Sequence, residues 1–465
     1  MMQYMSLTEM TRSLREGELS PTQVATATLD LVERFDPLLN CFAHFDSEDV
    51  LRQASSIEAR LAAGEDVGPL AGAPVAIKDL IAVQGMPLRF GSKVTSPEPV
   101  GVDAPSVARI RAAGGVILGK STTSEFGCKA VGDSPLTGIT RNPWNPDCTP
   151  GGSSAGAAAL VASGISPVSI GTDGGGSIRI PAALSGLYGI KAQFGRVPVY
   201  PTSATPTLAH VGPLARTVED AALMLSVIAG EFTKDPSSML GPTPDFLGEL
   251  EKTPAPLRIA WAPTLGYAEP LPEVLDACAD AVETLSALGH HVTQVDELFG
   301  GDPAALWMAE FYAGVGTKLI DPLTNRRAEL DEWVADILED AVGQQMRDYY
   351  GKVFERYAFR EQVESVFDQY DVILTPTVPT PSFPVSLPTP PTHAHRNIVS
   401  WVYYTYPFNL TGNPAASVPV GFNDQGLPMG MQMVTGTKQE ILLLQLSRQL
   451  EQINPWAERR PKVAE

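Results

Sequence analysis

Three residues of this chain could together carry out acyl transfer: Lys78, Ser153 and Ser177. Lys78 lies in an apolar run between Ile77 and Asp79, and a buried lysine is costly unless its pKa falls or a counter-charge pairs with it. A neutral buried amine is a competent general base at neutral pH, and serine becomes a good nucleophile only when a base takes its proton. A salt bridge between Lys78 and a nearby acid is the alternative.

Both serines lie in glycine-rich segments. Ser153 belongs to GGSSAG at 151–156, and Ser177 belongs to GTDGGGSIR at 171–179. Glycines before a serine leave several backbone N–H groups free to point at one oxyanion, which acyl transfer requires. Either segment alone is more typical of a tight turn before a helix or of an anion-binding turn. The prediction therefore depends on the two segments and Lys78 together.

The elements that must position these residues alternate along the chain. Strand patterns occur at 73–80, 116–118, 166–172 and 416–420, and helix patterns occur at 20–35, 104–113, 217–228 and 273–288. Such alternation predicts an α/β fold with a mixed central β-sheet covered by helices on both faces. We expect a single large domain, because the early strands and the strand near 416–420 could share one sheet.

Within that domain the pattern of predicted helices and strands divides the chain into four regions. The expected regions are an N-terminal helical segment at 1–60, a catalytic core at 70–230, a variable and mostly helical region at 232–350, and a C-terminal part at 351–465 that completes the sheet and the pocket. Polar and proline-rich residues at 232–256 predict a connector, and prolines at 375–395 predict an extended loop.

Composition excludes several classes of protein. The chain has 465 residues, 44% of them hydrophobic, and a net charge of −20, so direct nucleic-acid binding is disfavoured because an acidic surface repels phosphates. No long apolar stretch and no secretory signal is visible, so we expect no membrane partner and a cytoplasmic location. Four scattered cysteines and six unclustered histidines predict reduced thiols and no metal site. We expect no cofactor.

One motif is misleading. GGVILGKS at 114–121 matches the phosphate-binding pattern G-x-x-x-x-G-K-[ST], whose glycine loop must follow a strand and begin a helix. Here Val116, Ile117 and Leu118 favour a strand inside the motif, and a helical pattern precedes it. The segment predicts a helix–turn–strand unit and no nucleotide site.

Taken in order, five segments resemble the amidase signature family: APVAIKDL, GKSTTSEFG, NPWNPDCTPGGSSAG, GTDGGGSIRIPA and LYGIKAQFGRVP. The later segments YDVILTPTVPTP and NLTGNPAASVPVGFNDQGLPMGMQMV fit as well. Ser153 and Ser177 are 24 positions apart (177 − 153), which matches the spacing of the family's two catalytic serines. The resemblance covers nearly the whole chain and is weakest at 232–350.

The resemblance implies roles for the reactive side chains. Ser177 would be the nucleophile that forms the acyl-enzyme, and Ser153, on a cis peptide bond, would relay the proton between Ser177 and Lys78. Lys78 would be the base and would later return a proton to the leaving amine. Ser154 would help to fix the lysine.

The same resemblance implies how the loop around Ser177 works. Backbone N–H groups of Gly174, Gly175, Gly176 and Ser177 would form the oxyanion hole. Asp173 and Arg179 would brace the loop, and we interpret them as a purely structural ion pair. Family members commonly carry a larger residue in place of Gly174, so we expect this glycine to loosen the loop and to enlarge the acyl site.

The segment SWVYYTYPFNLTG at 400–412 bears on the substrate. The glutaminase branch of the family holds the ammonium of glutamine with an acidic residue, and Val402 falls where that acid would be. An apolar residue cannot pair a buried ammonium. The neighbouring Tyr403 and Tyr406 predict either an aromatic substrate pocket or simple core packing. Cys128 aligns with a family position near the substrate, so we expect it to line the pocket without a catalytic role.

The first hypothesis is an amidase that cleaves C–N bonds of neutral, hydrophobic or aryl amides, anilides or carbamates, as aryl acylamidases and urethanases do. Esters would be side substrates, and the chain would be a monomer or a homodimer. The first alternative is the glutaminase component of a tRNA-dependent amidotransferase. The second is a non-catalytic scaffold.

Overall fold

A computed structural model describes residues 2–464. Its strands are β1 (Phe42–His44), β2 (Pro74–Lys78), β3 (Val116–Ser121), β4 (Asp133–Ser134), β5 (Gly138–Ile139), β6 (Val168–Asp173), β7 (Tyr188–Lys191), β8 (His210–Ala215), β9 (Arg258–Trp261), β10 (His291–Gln294), β11 (Val372–Pro376), β12 (Ala415–Phe422) and β13 (Pro428–Thr435). Apart from the β4–β5 hairpin, these strands form one sheet.

The helices surround that sheet. They are α1 (Leu7–Arg15), α2 (Pro21–Leu39), α3 (Ser47–Ala62), α4 (Pro105–Ala112), α5 (Ala155–Ala162), α6 (Arg179–Ser185), α7 (Val218–Ile228), α8 (Pro272–Ala287), α9 (Ala304–Lys318), α10 (Ile320–Asn325), α11 (Glu332–Val342), α12 (Met346–Val366), α13 (Pro407–Thr411) and α14 (Glu440–Ile453). Short 3₁₀ turns occur at Glu125–Gly127, Arg327–Glu329, Pro391–His393, Trp456–Glu458 and Lys462–Ala464.

The sheet is mixed and contains strands from both halves of the chain. Its order is β1-β3-β2-β6-β8-β7-β12-β13-β11-β9-β10. β2 runs parallel to β3 and β6, and β9 runs parallel to β10 and β11, whereas the other pairs are antiparallel. β7 joins β12 with Lys191 opposite Ala415. The predicted sharing of one sheet by early and late strands is therefore confirmed.

The two larger hydrophobic cores lie on opposite faces of the sheet, and a smaller one includes Ala158, Ile178 and Leu214. Successive strand residues point to opposite sides, and Ile259 of β9 belongs to one core while Ala260 belongs to the other. The first core includes residues of α1 to α4, α7 and α14, and the second includes residues of α9, α11 and α12. The predicted α/β fold with helices on both faces is confirmed.

The GGVILGKS segment forms no phosphate loop. α4 ends at Ala112, and β3 then carries Val116 to Ser121 as a buried strand. Lys120 is wholly buried in that strand, and its Nζ lies 2.8 Å from Oδ1 of Asp79. The predicted helix–turn–strand unit is confirmed.

Across residues 2–464, no helix is both long enough and apolar enough to cross a bilayer.

Candidate active site

Lys78 is surrounded by hydroxyl groups. Its Nζ lies 2.7 Å from Oγ of Ser153, and 2.9 Å from both Oγ of Ser154 and Oγ1 of Thr172. The side chain is wholly buried. Burial lowers the pKa of Lys78 well below its usual value, although the charge of Asp173 works in the opposite direction. The amine is therefore placed to accept a proton from a hydroxyl group.

The sheet explains why these groups meet. β2 and β6 are parallel neighbours, with Ile77 opposite Ile170, so their carboxyl ends lie at the same edge. Lys78 is the last residue of β2, and Thr172 is near the end of β6. Residues that follow strands at this edge form the sites of many α/β proteins. Lys78 thus lies at the strand end, rather than inside the strand predicted at 73–80.

The two serine segments lie side by side. The peptide bond between Gly152 and Ser153 is cis, as expected. The backbone N–H of Ser154 donates to the carbonyl oxygen of Ser177 over 3.3 Å, which joins the two loops. Ser153 and Ser177 line the same cavity. The fold therefore brings the predicted base, relay and nucleophile to one place.

Asp173 organises the loop that carries Ser177. Its Oδ1 accepts from the N–H of Gly176 over 2.7 Å, and its carboxylate accepts from Nε and Nη2 of Arg179, each over 2.9 Å. Burial alone would raise the pKa of Asp173, but the facing guanidinium of Arg179 holds that pKa well below its ordinary value. This geometry agrees with the interpretation of Asp173 and Arg179 as a structural ion pair.

That geometry corrects one predicted oxyanion donor. The N–H of Gly176 already donates to Asp173, so it is not free to point at a substrate oxygen. No hydrogen-bond acceptor within residues 2–464 takes the N–H groups of Gly174, Gly175 or Ser177. These three groups are the remaining candidates for an oxyanion hole.

Two side chains hold the carbonyl groups of the loop. Nε1 of Trp307 donates to the carbonyl oxygen of Gly174 over 2.7 Å, and Oγ1 of Thr405 donates to that of Gly175 over 2.6 Å. The C=O and the following N–H of a trans peptide point in opposite directions, so fixing the carbonyls also fixes the amide directions. A Cβ at Gly176, where φ is +133°, would collide with Thr405.

Arg179 connects this loop to the last part of the chain. Its Nη1 donates to Oε1 of Gln432 over 2.6 Å and to the carbonyl oxygen of Thr405 over 2.9 Å. Its Nη2 donates to Oδ1 of Asn409 over 2.6 Å. The guanidinium is wholly buried and has a partner on each side. Satisfied buried networks of this kind restrict a loop to one conformation.

The cavity at Ser153 and Ser177 has a volume of about 280 Å³ and apolar walls. Its apolar lining includes Leu80, Ile81, Phe90, Phe126, Phe311 and Val315, and uncharged polar side chains such as Thr95, Tyr200 and Thr205 also line it. Lys318 lies at its edge, where Nζ donates to the carbonyl oxygen of Thr202 over 3.2 Å. Among the described residues that line the cavity, none is Asp or Glu.

Comparison with known proteins agrees with this geometry. The family model described as Amidase matches residues 23–444. The chain belongs to the amidase family. The amidase is 35% identical to an acylamidase of Rhodococcus erythropolis, over 98% of this chain and 97% of that relative. It is an amide-hydrolysing enzyme.

Further relatives cover the amidase equally well. It is 34% identical to a glutamyl-tRNA(Gln) amidotransferase component of Pseudomonas syringae pv. tomato, over 99% of this chain and 100% of that relative. It superposes on a solved bacterial aryl acylamidase of the amidase signature enzymes with a TM-score of 0.92 and 29% identity, over 98% of each chain. The relatives therefore span more than one kind of amide substrate.

The four predicted pocket residues, Cys128, Val402, Tyr403 and Tyr406, are not among those that line the cavity of this amidase. Tyr403 and Tyr406 are wholly buried in the second core. The hydroxyl of Tyr403 accepts from the N–H of Glu269 over 2.9 Å, and that of Tyr406 donates to Oδ1 of Asp302 over 2.6 Å. Both tyrosines fit the core-packing alternative, and the ring of Tyr406 stacks on Trp307 of α9 with centroids 5.8 Å apart. Their place in the substrate pocket stays a prediction.

Cys128 is also outside the cavity wall. Its side chain is 1% exposed, and burial raises the pKa of the thiol well above its usual value. Its carbonyl oxygen accepts from the hydroxyl of Tyr312 over 3.0 Å. The place of Cys128 in the substrate pocket stays a prediction. Across residues 2–464, no three His, Cys, Asp or Glu side chains are grouped closely enough to hold a metal ion.

Val402 lies close to Ser177. Both residues border a void of about 10 Å³, together with Gly175 and Phe311. The void is far too small for a substrate group, so Val402 faces the back of the nucleophile loop rather than the main cavity. Its assignment to the acyl pocket stays a prediction.

Gly174 does not leave an opening. A Cβ at this position would lie 2.7 Å from Cε2 of Phe311, whose ring stacks on Trp307 with centroids 4.5 Å apart. The expectation of an enlarged acyl site is wrong, because the ring from α9 occupies the space that a larger residue would take. The absence of a side chain is what lets α9 approach the loop.

Sequence reasoning missed several residues of the site. Thr172 directly precedes Asp173, and its place at the end of an apolar strand was a signal that it could face Lys78. Trp307, Phe311 and Thr405 carried no local signal. They approach the loop from more than a hundred positions away in sequence, and only the packing of α9 and of the 400–412 segment brings them there.

Proposed function

We propose that this amidase hydrolyses neutral, hydrophobic amides, anilides and carbamates through an acyl-enzyme on Ser177. One observation carries the proposal: Ser177 opens onto a cavity that apolar side chains enclose and to which no carboxylate contributes. Apolar walls with a few polar groups at one end are typical of sites for hydrophobic small molecules.

The reaction begins with a proton relay. Oγ of Ser177 attacks the substrate carbonyl carbon while its proton passes to Oγ of Ser153, and the proton of Ser153 passes to Nζ of neutral Lys78 at 2.7 Å. The negative oxygen that develops accepts from the N–H groups of Gly174, Gly175 and Ser177. The C–N bond then breaks, and Lys78 returns the proton through Ser153 to the leaving amine.

The second half repeats the relay with water. A water molecule attacks the acyl carbon, its proton passes through Ser153 to Lys78, and the acyl group leaves as a carboxylic acid when Oγ of Ser177 recovers the proton. Lys78 can act in both halves because hydroxyl groups surround it. A carboxylate in hydrogen-bond contact would favour the ammonium and remove the base.

Charge separates the proposal from glutamine hydrolysis. Glutamine would bring an ammonium group into a cavity whose described wall holds no carboxylate. An unpaired buried charge carries a penalty of several kcal/mol. The similarity to an acylamidase and to an aryl acylamidase further supports a neutral substrate.

The test compares the purified chain on a hydrophobic acyl nitroanilide, on the matching aryl carbamate and on glutamine. We expect turnover of the first two and none of glutamine. Ser177→Ala should lower kcat by about 10⁴-fold or more, with Ser163→Ala, a buried serine far from the cavity, as the control. Glutamine turnover without anilide turnover would favour a glutaminase, and an active Ser177→Ala enzyme would end the nucleophile assignment.

A second experiment tests Val402. Val402→Asp places a carboxylate behind Ser177, so KM for the nitroanilide should rise by about tenfold, because the site becomes less apolar. Val402→Thr keeps the shape without the charge and should change KM little. Equal KM values for the Asp variant and the wild type, with both folded, would remove this residue from the substrate pocket.

A further inference from the structure

The helix α12 carries apolar residues on two opposite faces. One face packs into the protein through Phe359 and Val363, which are 7% and 0% exposed. The opposite face presents four large apolar side chains to solvent, which we call the α12 stripe: Met346 (76% exposed), Tyr350 (52%), Phe354 (69%) and Tyr357 (65%). Spacings of four, four and three residues place all four on one side of a helix.

Such a stripe is unusual on the surface of a monomer. Single exposed apolar residues are common, but contiguous patches mark contact sites. The stripe therefore needs a partner surface.

The charges on this face are symmetric about Phe354. Arg347 lies seven residues before it and Glu361 lies seven residues after it. Both are exposed, and neither forms an ion pair with any residue in the 2–464 range that the structure covers. If two α12 helices pair antiparallel with Phe354 at the two-fold axis, Arg347 of each copy comes level with Glu361 of the other.

The sizes of the side chains are also complementary about Phe354, because each tyrosine on one side has a small residue at the same distance on the other side. Tyr350 lies four residues before Phe354, and Ala358 lies four after it. Gly351 lies three before, and Tyr357 lies three after. In the same antiparallel register each tyrosine of one copy is level with a small residue of the other, which lets facing surfaces interdigitate. A Cβ at Gly351 would meet no atom within 4 Å, so this side of the helix is open.

We propose that the α12 stripe is the interface of a homodimer, in which two copies of α12 pack antiparallel about Phe354. The antiparallel register about Phe354 pairs opposite charges and sets large side chains against small ones, and a second copy of this chain supplies that match on both sides of the two-fold axis. Stable interfaces bury about 800 Å² on each partner, so a single helix face gives a small interface and a dissociation constant on the order of micromolar.

Sedimentation of the full chain over concentrations on both sides of the micromolar range tests the dimer. The mass should rise from 49.6 kDa towards twice that value. Phe354→Asp should abolish the rise, and Leu240→Asp, at a residue 82% exposed and outside the helix, should leave it intact. A wild type that stays monomeric at all concentrations, or a dimer that survives Phe354→Asp, overturns the proposal.

Charge reversal tests the register. Arg347→Glu and Glu361→Arg should each raise the dissociation constant by about tenfold or more, and the two changes in one chain should restore it. A double variant whose dissociation constant stays as high as that of the single variants would overturn the antiparallel pairing.

A wild-type monomer that binds phosphatidylcholine vesicles through the α12 stripe would show that a lipid surface covers the stripe instead. Nitroanilide turnover per chain verifies that each variant is folded.

Discussion

Two buried lysines lie on neighbouring strands of the same sheet, at the ends of β2 and β3. Lys78 meets the hydroxyls of Ser153, Ser154 and Thr172. Lys120 instead lies 2.8 Å from a carboxylate oxygen of Asp79. Burial lowers the pKa of both amines, and a carboxylate charge opposes that change in each case: Asp173, which is not hydrogen-bonded to the amine, for Lys78, and the hydrogen-bonded Asp79 for Lys120.

The difference shows that partners, rather than burial, decide what a buried lysine does. A carboxylate at hydrogen-bond distance stabilises the ammonium and turns the residue into half of an ion pair. Hydroxyls can donate to a neutral amine as readily as they accept from a charged one. Lys78 is therefore suited to proton transfer, and Lys120 is suited to holding β3 against the turn after β2.

Removing each amine should separate the two roles most clearly. Lys78→Ala should lower kcat/KM for the nitroanilide by about 10⁴-fold, because the relay loses its base. The free energy of unfolding should also fall, because a wholly buried side chain is truncated, but no carboxylate loses a contact partner. Steady-state kinetics and thermal melting on the same samples measure both effects. If kcat/KM of Lys78→Ala stayed within tenfold of the wild-type value, Lys78 could not be the base.

Lys120→Met should have the reverse effect. It leaves the buried carboxylate of Asp79 without its cation, so the free energy of unfolding should fall by about 3–5 kcal/mol. The kcat of the folded protein should stay close to that of the wild type. Denaturant unfolding measures the loss, and adding Asp79→Asn should recover part of it. If Lys120→Met lowered kcat as much as Lys78→Ala does, the two lysines would contribute equally to catalysis, and the proposed difference between them would be wrong.

Adding a carboxylate beside Lys78 should produce the smallest and most specific change. In the wild type, kcat/KM should fall as pH falls through the lowered pKa of Lys78, because the protonated amine cannot act as a base. Thr172→Asp should raise that pKa and move the acid limb upward by about one to three pH units. Thr172→Val removes the hydroxyl without adding charge, so the acid limb of its kcat/KM profile should move far less. If kcat/KM of Thr172→Asp falls at the same pH as that of the wild type, the group that titrates there is not Lys78.

Local sequence pattern was sufficient for the reactive groups and for the strands that hold them. The run of apolar residues before Lys78 predicts β2, and Val116 to Leu118 predicts β3 and excludes a phosphate loop. These elements depend on neighbouring residues. The resemblance to the family then supplied the cis bond before Ser153, which composition and spacing do not reveal.

The pocket could not be predicted in the same way. Its wall depends on α9, which lies in the region where the resemblance is weakest. For Tyr403 the sequence left pocket and core packing open, and contacts with distant elements place it in the core. Gly174 looked like an opening, but Phe311 fills it. Each case concerns a contact between distant parts of the chain, and local pattern carries no information about such contacts.

The bonds of Arg179 have a consequence for how the enzyme is made. Lys78, Ser153 and Ser177 all leave the ribosome before Asn409 and Gln432, which follow Ser177 by 232 (409 − 177) and 255 (432 − 177) positions. Until then the guanidinium lacks the partners that hold the nucleophile loop in place. A nascent chain that has grown past Ser177 but not yet to Asn409 therefore possesses every reactive group without the contacts that order the nucleophile loop.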